Sequence, residues 1–315
     1  MRIDSKIAAL PRDPAEQRRG QNAINEAVQR WKADPALTPV LQQFSRYANG
    51  DALEALSELH ALLRSKEAAD RFVESWLNVH LAALRESPLS QLPFRHSYNS
   101  GFATMQLLVE REASLALVVY EERSDPIEPE SAIFSDREQH EIAVAGQAQG
   151  IFSCLNHAGD LSNIVRRVGP GDVFSFDCNR EVRQWTEVEG RLVLLQLSRT
   201  AQQPKPSREL NLKDGSLLMQ SDGDKLTSQS SMALAVLGAL GRKDAVPVMG
   251  KLASNGPAHL RWEAVRQMLA LDPFGGIDAL DRMAADPADE LAAPARNLAA
   301  QLRDQYPGLR AEEAA

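Results

Sequence analysis

Cysteine is scarce in this chain of 315 residues, with Cys154 and Cys178 the only two. Two thiols are too few for a disulfide framework or a cysteine-rich zinc site. Basic residues do not predominate either: 35 Lys and Arg stand against 43 Asp and Glu, a net charge of −8. That balance argues against a nonspecific nucleic-acid surface, which needs dense positive charge. No stretch approaches the ~20 consecutive apolar residues that span a bilayer. The opening residues lack the apolar core of a signal peptide, since only Ile7-Ala8-Ala9-Leu10 is apolar before Pro11. These absences predict a cytoplasmic protein with no membrane and no nucleic-acid partner. The spacing leaves a Cys154–Cys178 bond open. Also missing are a glycine-rich phosphate loop, a Gly-x-Ser-x-Gly elbow and a His-Glu-x-x-His pair.

What is present divides into three parts. Hydrophobic residues make up 43% and charged residues 25%, enough for two or three domain cores. Residues 1–92 read as helical. Asp13-Pro14-Ala15-Glu16 is a helix start, with Asp13 as cap. Apolar stripes follow at helical spacing: Ile24, Val28 and Trp31; then, after Asp34-Pro35, Leu41 and Phe44; then Leu56, Leu59 and Leu63; then Phe72, Val73, Trp76 and Leu77. Such stripes must be buried, and packing on the next domain is expected. Residues 93–199 turn strand-like, with runs such as MQLLVEREASLALVVY, GDVFSFD and RLVLLQLS between Gly, Asp and Asn turns. They predict an antiparallel β barrel or sandwich. Residues 200–227 have linker composition, with room for a hairpin at Lys213-Asp214-Gly215. Residues 228–315 return to short helices that must stack to be stable. YPGLRAEEAA at 306–315 reads as a polar frayed tail.

Two family resemblances follow. Ile142-Ala143-Val144-Ala145-Gly146 and Val168-Gly169-Pro170-Gly171-Asp172-Val173-Phe174 resemble the strand-and-turn elements of the two cupin motifs. The resemblance implies a cupin-like barrel, and in metal-dependent cupins a set of His and Glu ligands on Fe or another divalent metal. In this chain those ligand positions fall near Phe134–Asp136 and on Gln139, and near Val182 or Arg183, where no histidine stands. Residues 228–305, with AVLGALG, DAVPVM and LRWEAVR in order, resemble HEAT-like helical repeats. That resemblance implies an α-solenoid that contacts a protein partner, with Arg261 and Arg266 tying neighbouring repeats. The fold class is therefore α+β multidomain: N-terminal helices, a cupin-like antiparallel β barrel, and a HEAT-like solenoid.

The candidate site is the barrel mouth. Arg183 and Trp185 share a strand face where the second-motif histidine would stand, and Arg180 is close by in sequence. A guanidinium beside an indole suits a small anionic or aromatic ligand, or simply closes the barrel by stacking. The expectation is a non-catalytic binding or regulatory protein with no cofactor, its metal-free barrel holding a small molecule or peptide and its helical repeats contacting a protein partner. The alternative is an atypical oxygenase or isomerase using Fe or another divalent metal on His96, His140 and Asp136. His140 and Glu141 are adjacent in a strand, so they point to opposite faces. Cys178 reads as a buried, inert thiol. His60, His80 and His259 read as structural, and Ser221-Asp222-Gly223-Asp224 as a plain turn.

Overall fold

The computed structural model describes residues 14–88, 90–122 and 128–309, in two compact units that meet in sequence at Gln220 and Ser221. Asp13, read as the first helix cap, and residues 310–315 of the tail lie outside the described residues. No described helix is long and apolar enough to cross a membrane.

The first unit opens with four helices, α1 (Pro14–Lys32), α2 (Thr38–Ala48), α3 (Ser57–Leu62) and α4 (Lys66–Glu86). Asp34 does not start α2. Its carboxylate accepts the Ala36 amide (2.9 Å) in a turn that delays the helix to Thr38. α4 is capped by Ser65, whose hydroxyl accepts the Ala68 amide (3.3 Å). The stripes read from sequence are buried together: Trp31, Phe44, Phe72 and Trp76 share one core. Leu77, at the end of the last stripe, and Leu81, one turn further along α4, remain exposed.

Ten strands follow. β1 (His96–Asn99), β2 (Phe102–Glu110), β3 (Ala113–Glu121), β5 (Arg137–Leu155), β6 (Leu161–Val168), β7 (Val173–Asp177) and β8 (Glu181–Thr200) form one antiparallel sheet. Its order is β1-β2-β3-β8-β5-β6, with β7 also on β5. The long strands β5 and β8 bend at mid-length, where the β5 register slips around Gly146. Gly146 sits at φ +84°, and a Cβ there would overlap the Arg191 carbonyl. Only glycine fits that conformation and that close approach. The turn before β7 is built as its sequence suggests. Gly171 has φ +93°, and the Asp172 carboxylate accepts the Gly169 amide (2.8 Å).

Both faces of the sheet are covered at its centre, while β1 and most of β6 are exposed. Leu107, Leu115, Ile142, Leu195 and Leu197 face the helices and join their core. Ala116, Val118, Ala143, Trp185, Leu192 and Leu194 face inward and form a second cluster. The run from Leu192 to Leu197 therefore alternates between two apolar environments, which is why it reads as continuously hydrophobic.

The stretch read as linker contains two further strands, β9 (Ser207–Asn211) and β10 (Leu217–Ser221), in a small sheet of order β10-β9-β4 with β4 (Ser131–Phe134). Leu210 and Leu212 bury against Ala132, Phe134 and Leu155. The first unit thus runs well past Arg199, and only composition made this segment look like linker.

The second unit holds α5 (Lys225–Ala239), α6 (Val246–Ser254), α7 (Ala258–Leu271), α8 (Pro273–Ala285) and α9 (Ala292–Gln305). Asp224 caps α5 by accepting the Thr227 amide (2.6 Å), and Asp272 caps α8 at the Gly275 amide (3.2 Å). Leu234, Met249, Val265, Met268 and Leu280 fill the shared core. Arg261 reaches Asp289 beyond α8, but Arg266 bonds Glu263 of its own helix and ties no neighbouring helix among the described residues. The end of the chain is not wholly frayed, because Leu309 packs against this core.

Candidate functional site

The interior of the main sheet follows from strand alternation and register. On β3, Ser114, Ala116, Val118 and Tyr120 point inward, opposite Ser198, Gln196, Leu194 and Leu192 of β8. Gln139, Glu141 and Ala143 of β5 continue the first three of these rows. Gln106, Thr104 and Phe102 of β2 extend the last three. Reading row by row, one end of the interior is polar and the other is apolar. A cavity of about 330 Å³ lies along it, lined by side chains of both kinds and edged by Ile133, Arg137, Cys178 and Glu181.

A buried ion pair crosses this interior. Arg183 donates from Nε to Glu141 Oε2 (2.8 Å) and from Nη2 to Oε1 (2.5 Å). The two side chains are 6% and 0% exposed. Gln139 Nε2 also donates to Glu141 Oε1 (2.8 Å), and Arg183 Nη1 donates to the Tyr120 hydroxyl (3.3 Å). The guanidinium lies 4.5 Å above the Trp185 ring and 5.4 Å from that of Tyr120. Trp185 fits because its register partner is Gly150, where a Cβ would stand 2.7 Å from the indole. Burial works against the Arg183 charge, but the Glu141 carboxylate more than offsets it, and its pKa is raised. A fork-to-fork pair of this kind leaves neither partner a net charge to offer.

The residues singled out by sequence fare differently. Arg183 and Trp185 do come together, and Arg183 lines the cavity. Trp185 lies behind it, with its Nε1 buried and unpartnered among the described residues. Arg180 is elsewhere, donating to the Leu155 carbonyl (2.9 and 3.1 Å) and to His157 Nδ1 (2.7 Å). Its place in the β7–β8 turn, not on the strand, turns it away from Arg183.

His96, His140 and Asp136 are not brought together. His140 lies on the helix-facing side of β5, bonded to Ser175 Oγ (3.0 Å) and edge-on to the Tyr47 ring. Burial lowers its pKa. His96 is on exposed β1 with Nδ1 on the Phe94 carbonyl (3.0 Å). Asp136 accepts the Lys205 amide (3.0 Å). Among the described residues no three His, Cys, Asp or Glu side chains are placed to hold a metal ion. The metal implied by a cupin resemblance therefore does not fit. The inward acid, Glu141, is spent on an arginine, and its neighbouring histidine points the other way.

Both cysteines are free thiols. Cys178 lines the cavity, and burial pushes its pKa up although Arg137 works against that. Sequence reading overlooked Gln106, Gln196 and Ser198, and noted Gln139 only as a cupin ligand position without a histidine. The signal was clear in β8, where Gln196 and Ser198 stand two apart in an otherwise apolar run, and hidden in β5, where Gln139 and Glu141 sit among other polar residues.

No protein-family model matches the chain, and no curated protein matches it in sequence. Solved structures similar to it include the 7S globulin of Momordica charantia, at 11% identity over 38% of this chain and 35% of that one, with a TM-score of 0.27. KdgF from Halomonas sp. is 15% identical over 34% of this chain and 88% of its own, at a TM-score of 0.25. A putative mannose-6-phosphate isomerase from Ralstonia eutropha is 17% identical over 34% and 86%, at 0.24. The chain spans about a third of the length of the globulin. Likeness this loose assigns neither a family nor an activity.

Proposed function

We propose that this chain is a non-catalytic binding protein. Its cupin-like barrel, without a metal centre, holds a small molecule, and its C-terminal helices, read as HEAT-like repeats, contact a protein partner. The observation that carries the reading is the cavity of about 330 Å³ with polar walls inside the sheet. A core serving only stability would be filled with apolar side chains to close packing, and unpartnered polar groups would be excluded from it. A partner for the helices is supported by the exposed apolar residues Leu226, Met232, Val236 and Leu240 on and just after α5.

Thermal unfolding with a ligand library tests the barrel. A ligand at a hundred times its Kd stabilises the folded state by about 2.7 kcal/mol, so a true binder raises the melting temperature in a dose-dependent way. The competing assignment is an oxygenase or isomerase using Fe or another divalent metal. Elemental analysis of protein purified without chelator separates the two, and stoichiometric Fe, Mn, Ni or Zn would overturn the proposal.

A further inference from the structure

We infer that the cavity takes a neutral, multiply hydroxylated small molecule and not an anion. This rests on the binding role proposed above and narrows it to a ligand class.

Charge is the first argument. The charged groups that line the cavity are Arg137, Glu181 and Arg183, and Glu141 is bonded directly to the last. Two positive and two negative groups cancel. Among the described residues the one deep cation lining the cavity is committed to Glu141 through two bonds, so an anion entering there would be desolvated without a counter-charge. An arginine next to an indole suggests an anion from the sequence, and Glu141 removes that reason.

Hydrogen-bonding capacity is the second argument. Gln139 is 8% exposed, lines the cavity, and spends its amide N–H on Glu141. Its carbonyl Oε1 is buried and has no partner among the described residues. A buried acceptor of this kind needs a donor to fill it. Gln106 and Gln196 occupy the same row, on either side of Ala116. Ser114 and Ser198 hydroxyls are paired at 3.2 Å across the next row. Carboxamides and hydroxyls both donate and accept. Their complement is a neutral ligand whose groups also do both, which is what a set of hydroxyls supplies. The opposite end of the cavity, with Phe102, Val118 and Tyr120, gives such a molecule an apolar surface for its C–H face. A volume of about 330 Å³ is at the small end for ligand pockets, the size of a single ring and not a chain.

Cys178 in the wall provides the readout. The full-length protein is treated with iodoacetamide, and labelling of the Cys178 peptide is followed by mass spectrometry. It is done with a panel of neutral monosaccharides and cyclic polyols, and with the carboxylate and phosphate derivatives of the same molecules. Melting temperature is recorded for every compound as a second measure, independent of how fast Cys178 reacts. The expected result is that one or more neutral compounds slow Cys178 labelling or raise the melting temperature, while their anionic derivatives do not. Gln139→Leu and Gln196→Leu should each raise the half-effective concentration about tenfold, the effect of losing roughly one hydrogen bond. Protection by the anionic derivatives alone would overturn the ligand class and leave the binding role standing. No effect from either set on labelling or melting would overturn both.

Discussion

Glu141 and Arg183 lie 42 residues apart and meet inside the sheet through two parallel hydrogen bonds, with both side chains almost fully buried. Removing one partner strands the other charge in a buried site walled by Trp185 and Tyr120. Arg183→Met alone should destabilise the protein by about 3–5 kcal/mol, the usual cost of an uncompensated buried charge. The double change Glu141→Leu with Arg183→Met should cost clearly less than the two single changes added together. Chemical denaturation of all four proteins completes the cycle, and additive losses would contradict the pairing. Loss of stability, and not of ligand affinity, is therefore the first effect to measure at Arg183.

A second prediction concerns acid. His80 is buried among Trp31, Trp76 and Phe94, with Nδ1 on the Trp76 carbonyl (2.6 Å) and Nε2 unpartnered among the described residues. Burial lowers its pKa below the ordinary histidine value. The unfolded chain then binds a proton at a higher pH than the folded one, near pH 6.5. The stability from neutral His80 is complete above that pH and is lost as pH falls toward the depressed folded value. Denaturation midpoints taken between pH 7.5 and 5 should fall for the native sequence and fall less steeply for His80→Phe. Parallel slopes would show that other groups carry the acid response.

The bend of β5 gives a third. Gly146→Ala forces a side chain into a left-handed conformation and into the Arg191 carbonyl, so a loss of at least about 1–3 kcal/mol is expected. Gly190 also has a positive φ, +65°, but open space around it. Asn tolerates that conformation, so Gly190→Asn should change stability little. Comparing the two melting temperatures separates clash from backbone strain.

The chain end supplies the fourth. Because Leu309 packs on the second unit's core, ending the chain after Gln305 should lower that unit's stability by roughly 1 kcal/mol, from lost apolar burial. Ending it after Leu309 should preserve the melting temperature. Equal melting curves for the two truncations would mean that Leu309 contributes nothing.

Legibility in the sequence followed the range of the interaction. Helical stripes such as Phe72, Val73 and Trp76 are local patterns, and so is the Gly169–Asp172 turn, whose parts are three residues apart. Arg183 and Trp185 could be placed on one face because alternation requires it. Glu141 could not be paired with Arg183, since that needs the register of two strands that bend over one another. β9 was hidden for a different reason: SRELN buries only Leu210, and one apolar residue among polar ones looks like loop. Arg180 was misplaced because closeness in sequence stood in for a shared face, and it lies in the turn just before β8.

The alternation of Leu192 to Leu197 between two cores has a practical consequence for anyone wishing to isolate the sheet. A chain begun after Glu86 would keep Leu192 and Leu194 covered but leave Leu107, Leu115, Leu195 and Leu197 bare on one broad wall. Such a fragment would meet its own kind through that wall and precipitate or oligomerise. The helices ahead of the sheet are thus a built-in solubility device, and the sheet is portable only with them attached.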